Sequence, residues 1–288
     1  MRLDRRSLLI AATSVALFGI AGCKRSTSGA GSGSSEGQTE IVLGHYASMT
    51  GSTAHFGQDT DKAIRMAVDE ANAAGGVLGK KIKVVTLDTR GDSAEAANAV
   101  TRLIDVEKST AILGEVASSL SLAGGRVAQR RKIPMVSPSS TNPKVTEVGD
   151  YIFRVCFLDP FQGKAMAKFA KDTLKVDKVA ILKDIKNDYS IGLADAFKES
   201  FEKIGGKIIV EQSYGQGDTD FSAQVTAIKN TDAQAIFVPG YYAEVGSIAR
   251  TAERLGVKLP LLGGDGWDAP DLIKIGGDGI NGSYYSNH

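Results

Sequence analysis

From residue 40 onward, short apolar runs alternate with longer stretches whose apolar positions recur every three or four residues. The first pattern predicts strands and the second amphipathic helices. Strand-like runs are IVLGHY (41–46), KIKVVTLD (81–88), AILGEV (111–116), IPMVS (133–137) and YIFRVCF (151–157). Between them, the 59–74 stretch places Ile64, Ala67, Val68, Ala71 and Ala74 on one helical face. Asp59 or Thr60 is placed to cap its start, and Gly75-Gly76 to stop it. The 93–108 and 119–131 stretches behave alike. After Pro160 the alternation repeats. Strands are expected at KVAILKD (178–184), KIIVEQSYG (207–215), AQAIFVPG (233–240) and PLLGGDG (260–266), with helices at 161–173, 190–204, 221–230 and 243–256. Alternating strand and helix with right-handed crossovers gives a parallel sheet covered on both faces. Two such blocks predict an α/β protein of two doubly wound parallel-sheet lobes, with 40–157 in the first and 158–281 in the second. Residues 282–288 (GSYYSNH) are expected to begin a return to the first lobe, as part of a sequence truncated at its C-terminal side.

The first 39 residues depart from this pattern. MRLDRRSLLIAATSVALFGIAGC has a basic start (Arg2, Arg5, Arg6) and an apolar run from Leu8 to Ala21. That run is short for a membrane span, which needs roughly 20 residues; the layout is that of an export signal over 1–22. Ile20-Ala21-Gly22-Cys23 resembles a bacterial lipobox, which implies cleavage before Cys23 and its acylation. Arg5-Arg6 weakly resembles a twin-arginine signal, and an ordinary basic region explains it equally well. Residues 24–39 are rich in Ser and Gly and suit a flexible tether. With Cys23 acylated, Cys156 has no disulfide partner and is expected as a buried structural thiol.

Composition excludes some classes. A formal net charge of +1 gives no electrostatic reason to expect nucleic acid as a partner. The only histidines are His45, His55 and His288, and no G-x-S-x-G elbow accompanies them. Surface or hydrogen-bonding roles are expected for them. GGVLGKK (75–81) lacks the spacing of a phosphate loop and follows a helix, so it is expected to be a turn. Asp265, Asp268 and Asp271 lack the alternation of a calcium loop, and an acidic helix start explains the last two. No metal, cofactor or catalytic residue is expected.

In open α/β sheets the ligand sits beyond the carboxyl ends of the strands. The residues there are Ala47 to Gly51, Ala117-Ser118-Ser119, Ser137 to Thr141, Tyr189, Gly240-Tyr241-Tyr242 and Asp265-Gly266-Trp267. Hydroxyls, aromatics and one carboxylate, without a nucleophile–base pair, compose a binding site rather than a catalytic one.

The loops SMTGSTAHFGQ, DEANAAGG (69–76), SPSSTNP, FRVCFLDPFQG, NDYSIGLADAF, GDTDFSAQV, PGYYAEV and LLGGDGWD, in this order, resemble the leucine/isoleucine/valine-binding proteins. These are the amino-acid receptors of bacterial ABC importers, with the type I periplasmic-binding fold. The resemblance runs from about residue 40 to the end, and implies a hinge between the lobes and further chain after His288. It implies that Thr141 offers its hydroxyl and amide to the ligand head group, that Ser139 offers its carbonyl to the ammonium, and that Ser118 grips the α-carboxylate. Asp265, 24 positions after Tyr241, matches the acidic partner of the ammonium, where leucine-type members carry Glu. Phe56 would cover the ligand side chain, and Tyr189 and Tyr241 would close over it from the second lobe. Trp267 either walls the pocket or packs. The implied protein is a monomer, tethered to a membrane by lipid, that hands an amino acid to ABC permease subunits. A receptor for an amide, urea or short carboxylate, or a sensory ligand-binding module, would share this sequence pattern.

Overall fold

The computed structural model describes residues 40–288. The signal and tether expected over 1–39, Cys23 included, lie outside the described residues. Five strands form the first sheet: β1 (Glu40–Ala47), β2 (Lys81–Asp88), β3 (Ala111–Leu113), β4 (Met135–Ser137) and β5 (Ile152–Arg154). Five more form the second: β6 (Lys178–Asp184), β7 (Lys207–Tyr214), β8 (Ala235–Phe237), β9 (Leu261–Gly263) and β10 (Tyr284–Tyr285). Both sheets are fully parallel, in the orders β2-β1-β3-β4-β5 and β10-β9-β8-β6-β7.

The second order repeats the first, with β6 in the place of β1 and β10 in the place of β5. This corrects one expectation. The strand at the C-terminal side pairs with β9, Tyr284 opposite Leu262, and so joins the second sheet instead of starting a return to the first. The doubly wound α/β class is as expected.

The helices are α1 (Ala54–Ala73), α2 (Ser93–Asp105), α3 (Ser118–Arg131), α4 (Lys144–Glu147), α5 (Asp159–Lys168), α6 (Asp188–Lys203), α7 (Ser222–Lys229), α8 (Tyr242–Arg254) and α9 (Pro270–Gly276). Two start on side-chain caps: Asp92 accepts from Ala94 and Glu95 N–H, and Asn187 from Tyr189 and Ser190 N–H. Helix α1 starts five residues before the expected Asp59, which lies inside it. Gly57 explains the extra turn. A Cβ there would lie 2.2 Å from Ser48 O, so glycine lets the helix begin directly against the end of β1.

The cores follow from strand period. Along β6, Val179 and Ile181 join one apolar cluster, while Ala180 and Leu182 join another on the opposite face. A parallel sheet buried on both faces needs such a continuous apolar run. Trp267 is 1% exposed in the second cluster, and its indole N–H donates to Val238 O at 3.0 Å. It packs and does not wall a cavity. Cys156 is half-buried rather than fully buried, with Sγ 3.4 Å from Ser140 O, and burial pushes its thiol up to about 11. Among the described residues no helix is long and apolar enough to cross a membrane.

Candidate functional site

Two sheets with the same strand order have two equivalent crevices, beyond β1/β3 in one and β6/β8 in the other. The structure sets them face to face. A cavity of about 240 Å³ lies between them and is lined by Phe56, Ser118, Ser139, Thr141, Tyr189, Tyr241 and Asp265. All seven sequence-expected ligand residues therefore meet at one place. Ser139, Thr141, Tyr241 and Asp265 lie within four residues of a strand end; Phe56, Ser118 and Tyr189 come from the first turns of α1, α3 and α6.

The first side of the cavity presents a loop of neutral hydroxyls held from behind. SPSSTNP leaves β4 and divides its hydroxyls. Ser137 and Ser140 turn inward and donate to the carbonyl oxygen of Glu115 at 2.7 and 3.0 Å. Ser139 and Thr141 face the cavity. Thr141 Oγ1 is buried with no partner of hydrogen-bond geometry, although it lies beside the Asp159 carboxyl. A buried hydroxyl in that state is free to serve a ligand. Ser118 opens α3, whose start has no side-chain cap, so unpaired N–H groups and partial positive charge lie at this wall.

Two residues that sequence reasoning missed hold this side. Arg154 donates to Ser140 O at 2.8 Å, Asn142 O at 2.7 Å, Pro143 O at 2.8 Å and Thr146 Oγ1 at 2.5 Å. A planar guanidinium thus clamps the loop by its carbonyls. Glu115 is fully buried and accepts from Ser48 Oγ at 2.8 Å, Thr89 Oγ1 at 3.1 Å and Ala117 N–H at 2.7 Å. Burial pushes its carboxyl above the usual range. No local motif marks either residue, since most of their partners, such as Ser48 and Thr89 for Glu115 and Ser140 for Arg154, come from other segments of the chain.

The second side carries charge. Asp265 Oδ1 accepts from Tyr189 OH at 2.9 Å and Gln162 Nε2 at 2.9 Å, and Gly266 N–H donates to the same tyrosine oxygen at 3.0 Å. Gly264 makes this possible, since a Cβ there would lie 2.6 Å from Tyr189 OH and 2.8 Å from Gln162 Oε1. Tyr189 stacks on Tyr241 at 5.2 Å. Across the cleft Phe56 meets Tyr242 and Tyr241 edge-on at 5.3 and 6.2 Å. Ser119 Oγ donates to Asp188 Oδ2 at 2.9 Å and accepts from Asp188 N–H at 2.8 Å, so the two halves also touch through helix starts.

The cavity is more acidic than the sequence suggested. Asp59 and Asp268 also line it, together with His55, Asn287 and His288, and among the described residues no Lys or Arg does. His55 and His288 were expected to serve as surface or hydrogen-bonding groups; His55 bonds Asp59 at 3.1 Å, and His288 Nε2 lies 3.4 Å from Asp265 Oδ2. His45, fully buried, bonds Asp61 at 3.1 Å. Among the described residues no group of three or more His, Cys, Asp or Glu is placed to hold a metal.

Two facing crevices, lined by hydroxyls on one side and by carboxylates and tyrosines on the other, enclose one polar cavity. The chain belongs to the periplasmic binding protein family, whose sequence profile matches residues 40–288. It is 33% identical over 239 residues to an amino acid binding protein of Pseudomonas aeruginosa, covering 83% of this chain and 64% of that protein's length. Among solved structures it resembles a leucine-binding protein, LivK, of Thermotoga maritima, with TM-score 0.81 and 42% identity over 85% of this chain and 69% of the other. It also resembles the branched-chain amino acid transporter substrate-binding protein LivJ of Streptococcus pneumoniae, solved with isoleucine, with TM-score 0.80 and 36% identity over 85% and 70% of the two chains.

Proposed function

We propose that this protein is the solute-binding receptor of an ABC importer, capturing a branched-chain or similar amino acid between its lobes and delivering it to a permease. One observation carries the reading: a cavity with an unpartnered buried hydroxyl and an uncapped helix start on one wall, and an oriented carboxylate on the other. That is the complement of a zwitterion. Ser118 and Thr141 take the α-carboxylate end, the Ser139 carbonyl and Asp265 take the ammonium, and Phe56 and Tyr241 cover the side chain. No bond is made or broken. Ligand shifts the lobes toward closure because only the closed form satisfies both ends. Family membership supports an exported protein on the periplasmic side. Residues 1–22 as a signal, Cys23 as the lipid anchor, residues 24–39 as a tether and a monomeric state complete the proposal.

The test is thermal unfolding of protein lacking the signal, with Cys23 replaced, against the common amino acids, urea, short amides and small carboxylates. Ligand at a hundred times its dissociation constant adds about 2.7 kcal/mol. A shift with leucine, isoleucine or valine is expected. A shift confined to ligands without an ammonium would overturn the role given to Asp265 and leave a receptor of another ligand class.

A further inference from the structure

The first turn of α5 touches both walls of the cavity. The Asp159 backbone N–H donates to Thr141 O at 3.0 Å, on the neutral side. One turn on, Gln162 Nε2 donates to Asp159 Oδ1 and to Asp265 Oδ1, both at 2.9 Å. Gln162 Oε1 accepts from Asp265 N–H at 3.3 Å and from the Ser286 hydroxyl at 2.9 Å. Asp159 and Gln162 are 0% and 1% exposed. One buried amide therefore uses both its N–H donors on two different carboxylates and its oxygen on the backbone of one of them. The second oxygen of Asp159, Oδ2, is buried with no hydrogen-bond partner. A charged carboxylate in that state is costly, and two carboxylates sharing one neutral donor favour a proton on one.

Resting on the reading of Asp265 as ammonium anchor, we infer that Asp159 and Gln162 are positioning residues that tie the Thr141 loop to Asp265, and that Asp159 releases a proton when a cationic group seats against Asp265. The surroundings support this. Burial first, then the charge of Asp265, push the Asp159 carboxyl up to about 7, against the neighbouring Thr141 hydroxyl, the Gln162 amide and Arg154, which pull it down. The other titratable groups facing the pair are Cys156 after β5, Tyr189 of α6, Tyr241 before α8, and His288 beside Asp265. A cation at Asp265 lowers the Asp159 pKa, so the bound protein holds fewer protons than the free one. Affinity then rises with pH through about 7. His288 acts with the same sign, because its protonated ring competes for Asp265. A control must separate the two.

The experiment is calorimetric titration with L-leucine from about pH 5.5 to about pH 8.5, on wild type, Asp159→Asn, Gln162→Met and His288→Asn. Carbon-13 NMR of the aspartate carboxyls in ligand-free protein runs beside it. In wild type the Kd is expected to fall about tenfold across the range, as one pK unit of displacement requires. Asp159→Asn flattens that slope and His288→Asn leaves most of it. Gln162→Met weakens L-leucine about tenfold and moves the Asp159 titration upward without ligand. A slope that survives Asp159→Asn, or that disappears only in His288→Asn, overturns the inference. So does a ligand-free protein with no carboxyl titrating near neutrality. A wild type that ignores L-leucine but shows an Asp159 titration displaced by Gln162→Met keeps the relay and rejects the amino-acid reading.

Discussion

The two walls of the cavity come from sheets of the same strand order, yet they are built differently. The first wall is a loop of hydroxyls and backbone groups, and its support is polar: the Arg154 guanidinium on its carbonyls and the buried Glu115 beneath it. The second wall centres on the Asp265 carboxylate, held by Tyr189 and Gln162 over an apolar core that includes Trp267, with Asp268 beside it. A loop of neutral groups gains specificity only if many atoms stay fixed, so it needs a buried scaffold. A single charge needs only aim and a dry setting. The first wall should therefore fail gradually as pieces are removed, and the second should fail at once.

Asp265→Ala is expected to have the largest effect, weakening amino-acid binding at least a hundredfold, or about 2.7 kcal/mol, because an ammonium would be buried without its counter-charge. Calorimetry on a variant with unchanged far-UV dichroism checks it. Near-native affinity would remove the asymmetry between the walls. Arg154→Met should come next. Three hydrogen bonds to the loop and one to Thr146 of α4 are lost, and about 2–3 kcal/mol of stability with them. Both the Tm and the affinity should drop. Loss of stability without loss of affinity would mean that the loop needs no clamp to bind.

Much of this was legible in the sequence. Period alternation located nine strands because each lies on an apolar run bounded by turn residues. It missed β10 as a partner of β9, since Tyr284 and Tyr285 are both half-exposed and carry no burial pattern. The rule that ligands lie beyond strand ends gathered Ser118, Ser139, Thr141, Tyr241 and Asp265, and the cavity holds them all. Arg154, Glu115, Gln162 and Asp159 were not legible. Their informative partners lie on other segments, Asp265 for Gln162, Ser48 for Glu115, Ser140 for Arg154 and Thr141 for Asp159, and tertiary folding creates those pairings. The early start of α1 was hidden by Gly57, a helix-weakening residue retained because nothing larger fits against Ser48 O.

The hydroxyl loop itself offers the finest division. Ser140 and Thr141 are adjacent and both buried, yet one faces the scaffold and the other the cavity. Ser140→Ala should lower stability by about 1–2 kcal/mol, since its hydroxyl meets Ser121 Oγ at 2.7 Å and two carbonyls, while leaving affinity nearly unchanged. Thr141→Val should do the reverse. It removes a hydroxyl that has no partner of hydrogen-bond geometry in the protein, so the Tm should hold while binding weakens by about 1–3 kcal/mol. Ser118→Ala should weaken binding as Thr141→Val does but also lower the Tm, since the Ser118 hydroxyl accepts from Asn142 N–H at 3.3 Å.

Ser139→Ala is the smallest expected change and the most selective. The proposed contact of Ser139 is its carbonyl oxygen, which any residue supplies, and its side chain is half-buried beside the cavity. Affinity and Tm should both stay within about 0.5 kcal/mol of wild type, as for a side chain outside every network named above. A loss as large as that of Thr141→Val would show that the ligand is gripped by the Ser139 hydroxyl. The head group would then sit deeper toward β4, and the ammonium would have to reach Asp265 from a different angle. Side-chain deletion at one half-buried serine thus tests where along the loop the neutral wall ends and the ligand begins.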